Sequence, residues 1–465
     1  MALASYETQS YTGFNQPRGI AVSDDSNIVW VSNFGSGTAI QITVDPSGQG
    51  DPISLPSANP GLNPVGITIY SDNSVFIASK NGSADTPSDQ RVIKISGNTP
   101  TVIRNGLGSP FRIVTTPNTV WVTSPASHSV YLIDISTNNI INTVIFNPNF
   151  SPGGIVKSDT AIFTVADYYS TLNHIYKIPI ENQIPELLCD MGTELWGSIA
   201  ISPDQQHLYV GARNNVIYRV TISTGAKSPF ITVSQWIWTG FAISQYFMWV
   251  AGRDGLLHKI LLSDPTQRET ISLHEGQVVI SPDFSSVWVT AAEGTTVTQV
   301  ILPPPLFTVS GTSVPNNGTA ALALTISPGQ TIDLNTYVTA SGGANYTLVS
   351  GTGSITGSIV TVPSAGILTI RVTSTLTIDY YVGHIELTLT VTIAPPPPPA
   401  VPVPLSVSLK ALRNGVQGSG TTLTALRGGI ELIKQAGEKQ QKFGSYADYL
   451  RYKNAIPYVQ NKSGQ

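Results

Sequence analysis

The sequence predicts an all-β chain: a seven-bladed β-propeller over residues 1–303, an immunoglobulin-like β-sandwich over 306–394, a proline-rich spacer over 395–404, and a short, partly helical tail over 405–465. Three observations predict it. Only 11% of the 465 residues are charged, while Gly (41) and Pro (33) are frequent and long runs alternate Val, Ile or Leu with Thr or Ser. That is the composition of many short strands joined by tight turns. An aromatic residue between small apolar neighbours recurs seven times at a nearly fixed interval. Two proline runs, at 303–305 and 395–399, then partition the remainder.

The recurring unit begins at a Pro or Gly corner and continues through a Gly-apolar pair into an alternating strand. A polar turn follows, then a second strand centred on the aromatic. The first copy reads Pro17-Arg18-Gly19-Ile20-Ala21-Val22 and then Val29-Trp30-Val31-Ser32. The fifth reads Gly197-Ser198-Ile199-Ala200, then Ser202-Pro203-Asp204, then Leu208-Tyr209-Val210. The marker aromatics are Trp30, Phe76, Trp121, Phe163, Tyr209, Trp249 and Trp288, so successive differences are 46, 45, 42, 46, 40 and 39 residues. A period of about 40–45 residues holding four short strands is that of a propeller blade. Third strands are expected at 91–95, 129–133 and 216–220. The Gly ahead of the innermost strand lets neighbouring blades crowd together. The aromatic is expected to pack between adjacent sheets. Residues 5–11 are expected to supply the outer strand of the last blade, because a ring must join its ends.

Pro-x-Gly-Ile-Ala-Val and Val-Trp-Val-Ser resemble the NHL and YVTN (SMP-30-like) propeller repeats, from Gly13 to about Leu302. The resemblance implies a fold more than an activity, since such propellers include lactonases, lyases and many binding proteins.

Propeller enzymes gather catalytic groups where chain segments lead into the innermost strands. Those segments offer Arg18, Val65, Arg112, Gly153, Trp196, Thr239 and Gln277, with no histidine and no convergent carboxylates. Two arginines without an acid–base partner do not perform hydrolysis or elimination. No catalytic residue is therefore assigned. Arg18 and Arg112, with Trp196 beside them, are candidates for binding an anionic group, the alternative being hydrogen bonds to a neighbouring blade. The six histidines show no metal-ligand spacing, so neither a metal nor a cofactor is expected. Cys189, the single cysteine, reads as a small core residue, and Asp72, Asp204 and Asp283 read as turn residues.

Residues 306–394 read as seven or eight strands, among them 320–326, 331–338, 358–362, 367–372 and 385–393, which suggests a sandwich without a disulfide. The spacer at 395–404 should be extended polyproline II. The tail is basic: residues 401–465 hold nine Lys or Arg against three Asp or Glu, a net of +6, so residues 1–400 carry −4 − 6 = −10. Ser445-Tyr446-Ala447-Asp448 opens a helix as a capping box. That helix aligns Tyr446, Tyr449, Leu450 and Lys453; a second candidate aligns Ile430 and Ile433, preceded by Arg427. Short helices with apolar stripes and no core of their own point to docking on another protein. The segments 426–429 and 443–453 resemble terminal segments of virion proteins of large icosahedral DNA viruses, which implies anchoring to other capsid proteins.

The order of parts leads to the expectation of a non-enzymatic structural or attachment protein of a virion, its propeller displayed towards a host surface protein or glycan. The alternatives are a bacterial cell-surface or extracellular adhesin and, less favoured, a lactonase- or lyase-like enzyme. No nucleic-acid partner is expected, because the basic residues are diluted with Gly, Ser and Gln. No membrane span is expected, because no stretch approaches 18 apolar residues, and residues 1–7 lack the features of a signal peptide.

Overall fold

The computed structural model describes residues 6–56, 62–81, 90–166, 170–233, 240–375 and 383–395. Regular structure among them is β throughout, apart from two 3₁₀ turns at Pro125–Ser127 and Leu334–Thr336. Between Glu7 and Ile301 the strands form seven small antiparallel sheets, spanning 17–54, 62–104, 113–145, 152–190, 195–232, 241–272 and 278–301. They are called sheets 1 to 7 in that order. In sheets 2 to 6 four consecutive strands pair in chain order; in sheet 1 two short strands, Gly48–Gln49 and Ile53–Ser54, share the outer position. The architecture is β-propeller-like.

Sheet 7 has three strands from its own stretch of chain: Val278–Ile280, Ser286–Thr290 and Val297–Ile301. Its fourth is the N-terminal strand Glu7–Tyr11, antiparallel to Val297–Ile301 with Gln9 opposite Gln299. The two ends of this region are thus stitched by a strand pair whose partners are almost 300 residues apart in sequence.

Packing follows the same order. All seven marker aromatics are buried, none more than 4% exposed. Trp30 of sheet 1 joins Ile67, Val75, Ile77 and Ile93 of sheet 2. Phe76 of sheet 2 joins Ile113, Val120, Val122 and Ile133 of sheet 3. Trp121, Phe163 and their neighbours link sheets 3, 4 and 5 in one cluster. Tyr209 joins Phe241, Met248 and Val250 of sheet 6, and Trp249 joins Val278, Val287 and Val289 of sheet 7. Trp288 of sheet 7 then joins Ile20, Val29, Val31 and Ile40 of sheet 1. Each aromatic fills the space in front of the following sheet, and the last fills the space in front of the first. The glycine expectation holds for the same reason. A Cβ on Gly66 would stand 2.5 Å from the Phe111 carbonyl oxygen of the next sheet, and one on Gly154 would collide with the Gly197 carbonyl. Only glycine permits so close an approach.

One regularity escapes a hydrophobic reading. Opposite the aromatics, on the third strands, stand Gln41, Lys94, Leu132, Lys177, Arg219, Lys259 and Gln299. Six of the seven are long and polar. Two of them reach the ring they oppose: the Lys94 ammonium lies 5.5 Å from the Phe76 centroid and that of Lys259 5.8 Å from the Trp249 centroid, both cation–π distances.

The turns between first and second strands are held by a serine relay. Ser23 and Ser202 each donate to an aspartate two residues on (Asp25, Asp204) at 2.5 Å and accept from the first amide of the next strand, Ile28 N at 2.9 Å and His207 N at 3.0 Å. The hydroxyl donors hold Asp25 and Asp204 below the usual carboxylate range. Asp134, in another turn, is held down to about 2, first by the Ser136 hydroxyl. Depressed carboxyl groups stabilise the fold fully above their unfolded value near 4 and lose that contribution as pH falls through the lower folded value. Thermal midpoints measured from pH 7 to pH 2 are therefore expected to stay level down to about pH 5 and to fall below about pH 4. In Ser202→Ala the part of the Asp204 share that the hydroxyl sustains disappears while the Gln206 amide bond remains, so the drop between pH 4 and pH 2 becomes smaller.

Among the described residues after Pro305 the strands form three antiparallel sheets. One pairs Phe307–Val309 with Thr312–Val314 and Val338–Ala340. A second orders Thr319–Ile326, His384–Ile393, Gly366–Ser374 and Ala344–Ser350. A third orders Ile332–Asp333, Ile359–Thr361 and Ser354–Thr356. The strand expected over 331–338 does not form as one piece. Asp333 caps a 3₁₀ turn, its carboxylate accepting from Asn335 N at 3.1 Å, and the chain bends there before Val338. Arg427, Ile430, Ile433, Tyr446, Tyr449, Leu450 and Lys453, and the spacer beyond Pro395, lie outside the described residues.

Candidate binding site at the loop end of the sheets

Antiparallel pairing decides which loops meet. Within a sheet, the start of the first strand lies beside the end of the second and the start of the third, as Pro17 opposite Asn33 and Thr290 opposite Val297 show. The segment leading into each innermost strand therefore shares one end of the sheet with the hairpin between its second and third strands. Two backbone bonds fix sheet 1 against that hairpin of sheet 7: Phe14 N to Thr295 O at 3.2 Å and Gln16 N to Gly294 O at 2.9 Å. They set Arg18 beside Glu293.

The result is a four-membered charge network. The Arg18 guanidinium lies 4.0 Å over the Phe34 ring and 3.3 Å from the Glu293 carboxylate. Arg253, in the sheet 6 hairpin, lies 3.2 Å from Glu275, which precedes Gly276 and the sheet 7 innermost strand. The members differ in exposure: side chains of Arg18 and Glu275 are 22% and 17% exposed, those of Glu293 and Arg253 61% and 47%. Burial lowers the Arg18 pKa, opposed by Glu293 and Glu275. Burial raises that of Glu275, opposed chiefly by Arg253. Among the described residues, Glu275 Oε1 is shielded from solvent and has no hydrogen-bond donor.

The residue immediately before each innermost strand gives no expectation of convergent carboxylates at this end, and the structure corrects this by placing Glu275 and Glu293 there. Glu275 sits two residues earlier than Gln277, and Glu293 sits in a hairpin returned to the same end by strand pairing. The signal lay in Gly276, where a Cβ would run into the backbone of Thr290: the chain is pressed against the hairpin there.

The second predicted arginine takes a different partner. Arg112 Nη1 donates to Gln277 Oε1 at 3.1 Å, and its guanidinium lies 4.8 Å from the Phe111 centroid. Arg112 leads into sheet 3 and Gln277 into sheet 7, and among the described residues those two sheets share no hydrophobic cluster. The bond joins two innermost-strand approaches that packing leaves apart. The Arg18 and Arg112 positions thus converge with partners from sheet 7. Trp196 lies in the strand Leu195–Ile201; its side chain is outside the description.

Two buried polar groups away from this network were unread in the sequence. Lys259 Nζ donates to Tyr6 Oη at 2.9 Å, lies 3.7 Å from Glu269 and 4.1 Å from the Phe247 centroid, while Tyr6 donates to Glu269 at 2.5 Å. His258 Nε2 lies 3.0 Å from Asp254. Cys189 is buried, and burial pushes its thiol pKa up, as a core residue requires. Asp72, Asp204 and Asp283 each accept from a turn amide. Among the described residues no three His, Cys, Asp or Glu side chains form a set able to hold a metal ion, and no helix is long and apolar enough to cross a membrane.

No protein-family model and no curated protein matches the sequence. The backbone is similar to 1518 chains of known structure, the breadth of a fold that carries many unrelated functions. One is a chain of Kuenenia stuttgartiensis hydrazine synthase, with a TM-score of 0.53 at 12% identity over 62% of this chain and 96% of that one. At that identity the likeness concerns the fold alone.

Proposed function

We propose that the chain is a non-enzymatic attachment protein of a virus particle. Its first 303 residues are a seven-bladed propeller of the NHL and YVTN kind that presents the loop end to a protein or glycan. An immunoglobulin-like sandwich and the proline spacer carry it outward, and the basic tail docks on other capsid proteins. The observation that carries the binding role is the network of Arg18, Glu293, Arg253 and Glu275. Each carboxylate there is paired with a guanidinium, which stays protonated and offers no proton to a substrate, so the groups favour recognition of charge and hydrogen-bonding pattern over turnover. The particle role is supported by the opposition of a −10 body and a +6 tail and by the resemblance of 443–453 to virion termini. Particles assembled with the full chain and with a chain ending at residue 404 test it. The full chain is expected to co-sediment with the capsid proteins and the shortened chain to remain free. Equal recovery of both, or of neither, with the particles contradicts the docking role.

A further inference from the structure

The loop-end network has an unequal build. Arg18 and Glu275 are its fixed members. Arg18 is packed on Phe34 and anchored in a strand that approaches the next sheet too closely for any residue but Gly19 beside it. Glu275 is held by its backbone, which accepts from Ala292 N at 2.9 Å, and by the jammed Gly276 that follows. Glu293 and Arg253 are the opposite: long, mostly exposed arms, each on a hairpin, each covering one fixed charge. Exposed ion pairs of this sort are weak and readily exchanged. What the arms offer describes what the fixed groups accept. Glu293 presents a carboxylate to the inner guanidinium. Arg253 presents N–H donors to the inner carboxylate, and even so Glu275 Oε1 keeps a lone-pair site that no donor reaches among the described residues.

We propose that Arg18 and Glu275 form a binding site for a carboxylate whose neighbouring carbon carries a hydrogen-bond donor, and that Glu293 and Arg253 occupy it until such a ligand displaces them. The ligand carboxylate takes the Arg18 guanidinium; the adjacent hydroxyl or ammonium donates to Glu275. Two sources share that chemistry: a 2-hydroxy sugar acid and an amino-acid head group. The assignment deepens the attachment reading, since it names the ligand of the displayed face.

Ligand-observed NMR titration of the full chain with D-gluconate, glycine, acetate and D-glucose tests it. Binding of gluconate at least tenfold tighter than acetate and glucose assigns a 2-hydroxy sugar acid; the same margin for glycine assigns the amino-acid head group. Arg18→Gln is expected to lose at least tenfold in affinity for the preferred ligand, as removal of a charge-assisted contact does. Glu293→Gln is expected to bind about two- to fivefold tighter, because the ligand no longer competes with an internal carboxylate. Both variants should keep a thermal midpoint close to that of the parent, which separates lost binding from lost fold. If neither gluconate nor glycine exceeds acetate, or if Glu293→Gln weakens binding as Arg18→Gln does, the site is overturned. The particle-sedimentation result is independent of either outcome.

Discussion

A chain lacking residues 1–11 is expected to lose its cooperative fold, with a thermal midpoint lower by on the order of 10–20 °C or with aggregation in place of a soluble product. The removed segment does three things at once. Its strand satisfies the open edge of Val297–Ile301. Tyr11 stacks on Trp288 with ring centroids 5.6 Å apart, and Tyr6 stands edge-on to Trp249 at 6.1 Å. Tyr6 also supplies the hydroxyl between Lys259 and Glu269. Two tyrosine rings returned to water cost about 4 kcal/mol each at about 25 cal/mol per Å² for some 150 Å² of area apiece. The Lys259 side chain, 10% exposed, then keeps only part of its compensation, and a buried charge deprived of a partner is costly. The exposed edge is itself a template for pairing with other chains, which is why aggregation is the alternative form of the result. Differential scanning calorimetry on the full and shortened chains reads the loss. A synthetic peptide of residues 1–12 should restore part of it.

Trp288→Ala is expected to be the most damaging single substitution of a marker aromatic, at about 3–5 kcal/mol. The side chain is fully buried, and its Nε1 donates to Ser286 Oγ at 3.0 Å. Its neighbours belong to sheet 1 as well as to the N-terminal strand, so the cavity opens where the two ends of the chain meet. Native-state hydrogen exchange should show sheets 1 and 7 losing protection together. By contrast, Ile184→Ser, at a position 62% exposed, is expected to change stability by no more than about 0.5 kcal/mol.

The period of the marker aromatics was legible because burial between sheets demands a large ring at one place in every unit, and a missing ring leaves a hole. The glycine at the crowded end was legible for the same steric reason. The N-terminal strand could be inferred from topology: Val297–Ile301 ends its sheet one strand short. What composition could not show was the long polar set opposite the rings. Lys94, Lys177, Arg219 and Lys259 look like ordinary surface residues, and only strand register places them opposite an aromatic. The charge network was hidden for a related reason. Glu293 and Arg253 lie in hairpins that seem unrelated to Arg18 and Glu275 until antiparallel pairing returns them to the same end. Farther along, Ile332, Leu334 and Val338 suggest one strand by their spacing, and the Asp333 cap breaks it into two short ones around a 3₁₀ turn.

The claim on which the rest depends is that the N-terminal strand closes the ring against Val297–Ile301. Ser10 and Thr298 stand directly opposite each other in that pair, their hydroxyl oxygens 3.4 Å apart; directly paired residues of an antiparallel ladder have Cα atoms about 4.5–5.5 Å apart, within the reach of a disulfide. In the doubly substituted chain Ser10→Cys/Thr298→Cys, mild oxidation followed by proteolysis and mass spectrometry should recover the N-terminal fragment covalently joined to the fragment that contains residue 298, in near-quantitative yield. Cys189, being buried, should remain a thiol. Recovery of the two fragments separately, with both new cysteines unpaired after oxidation of the folded chain, would contradict the closure.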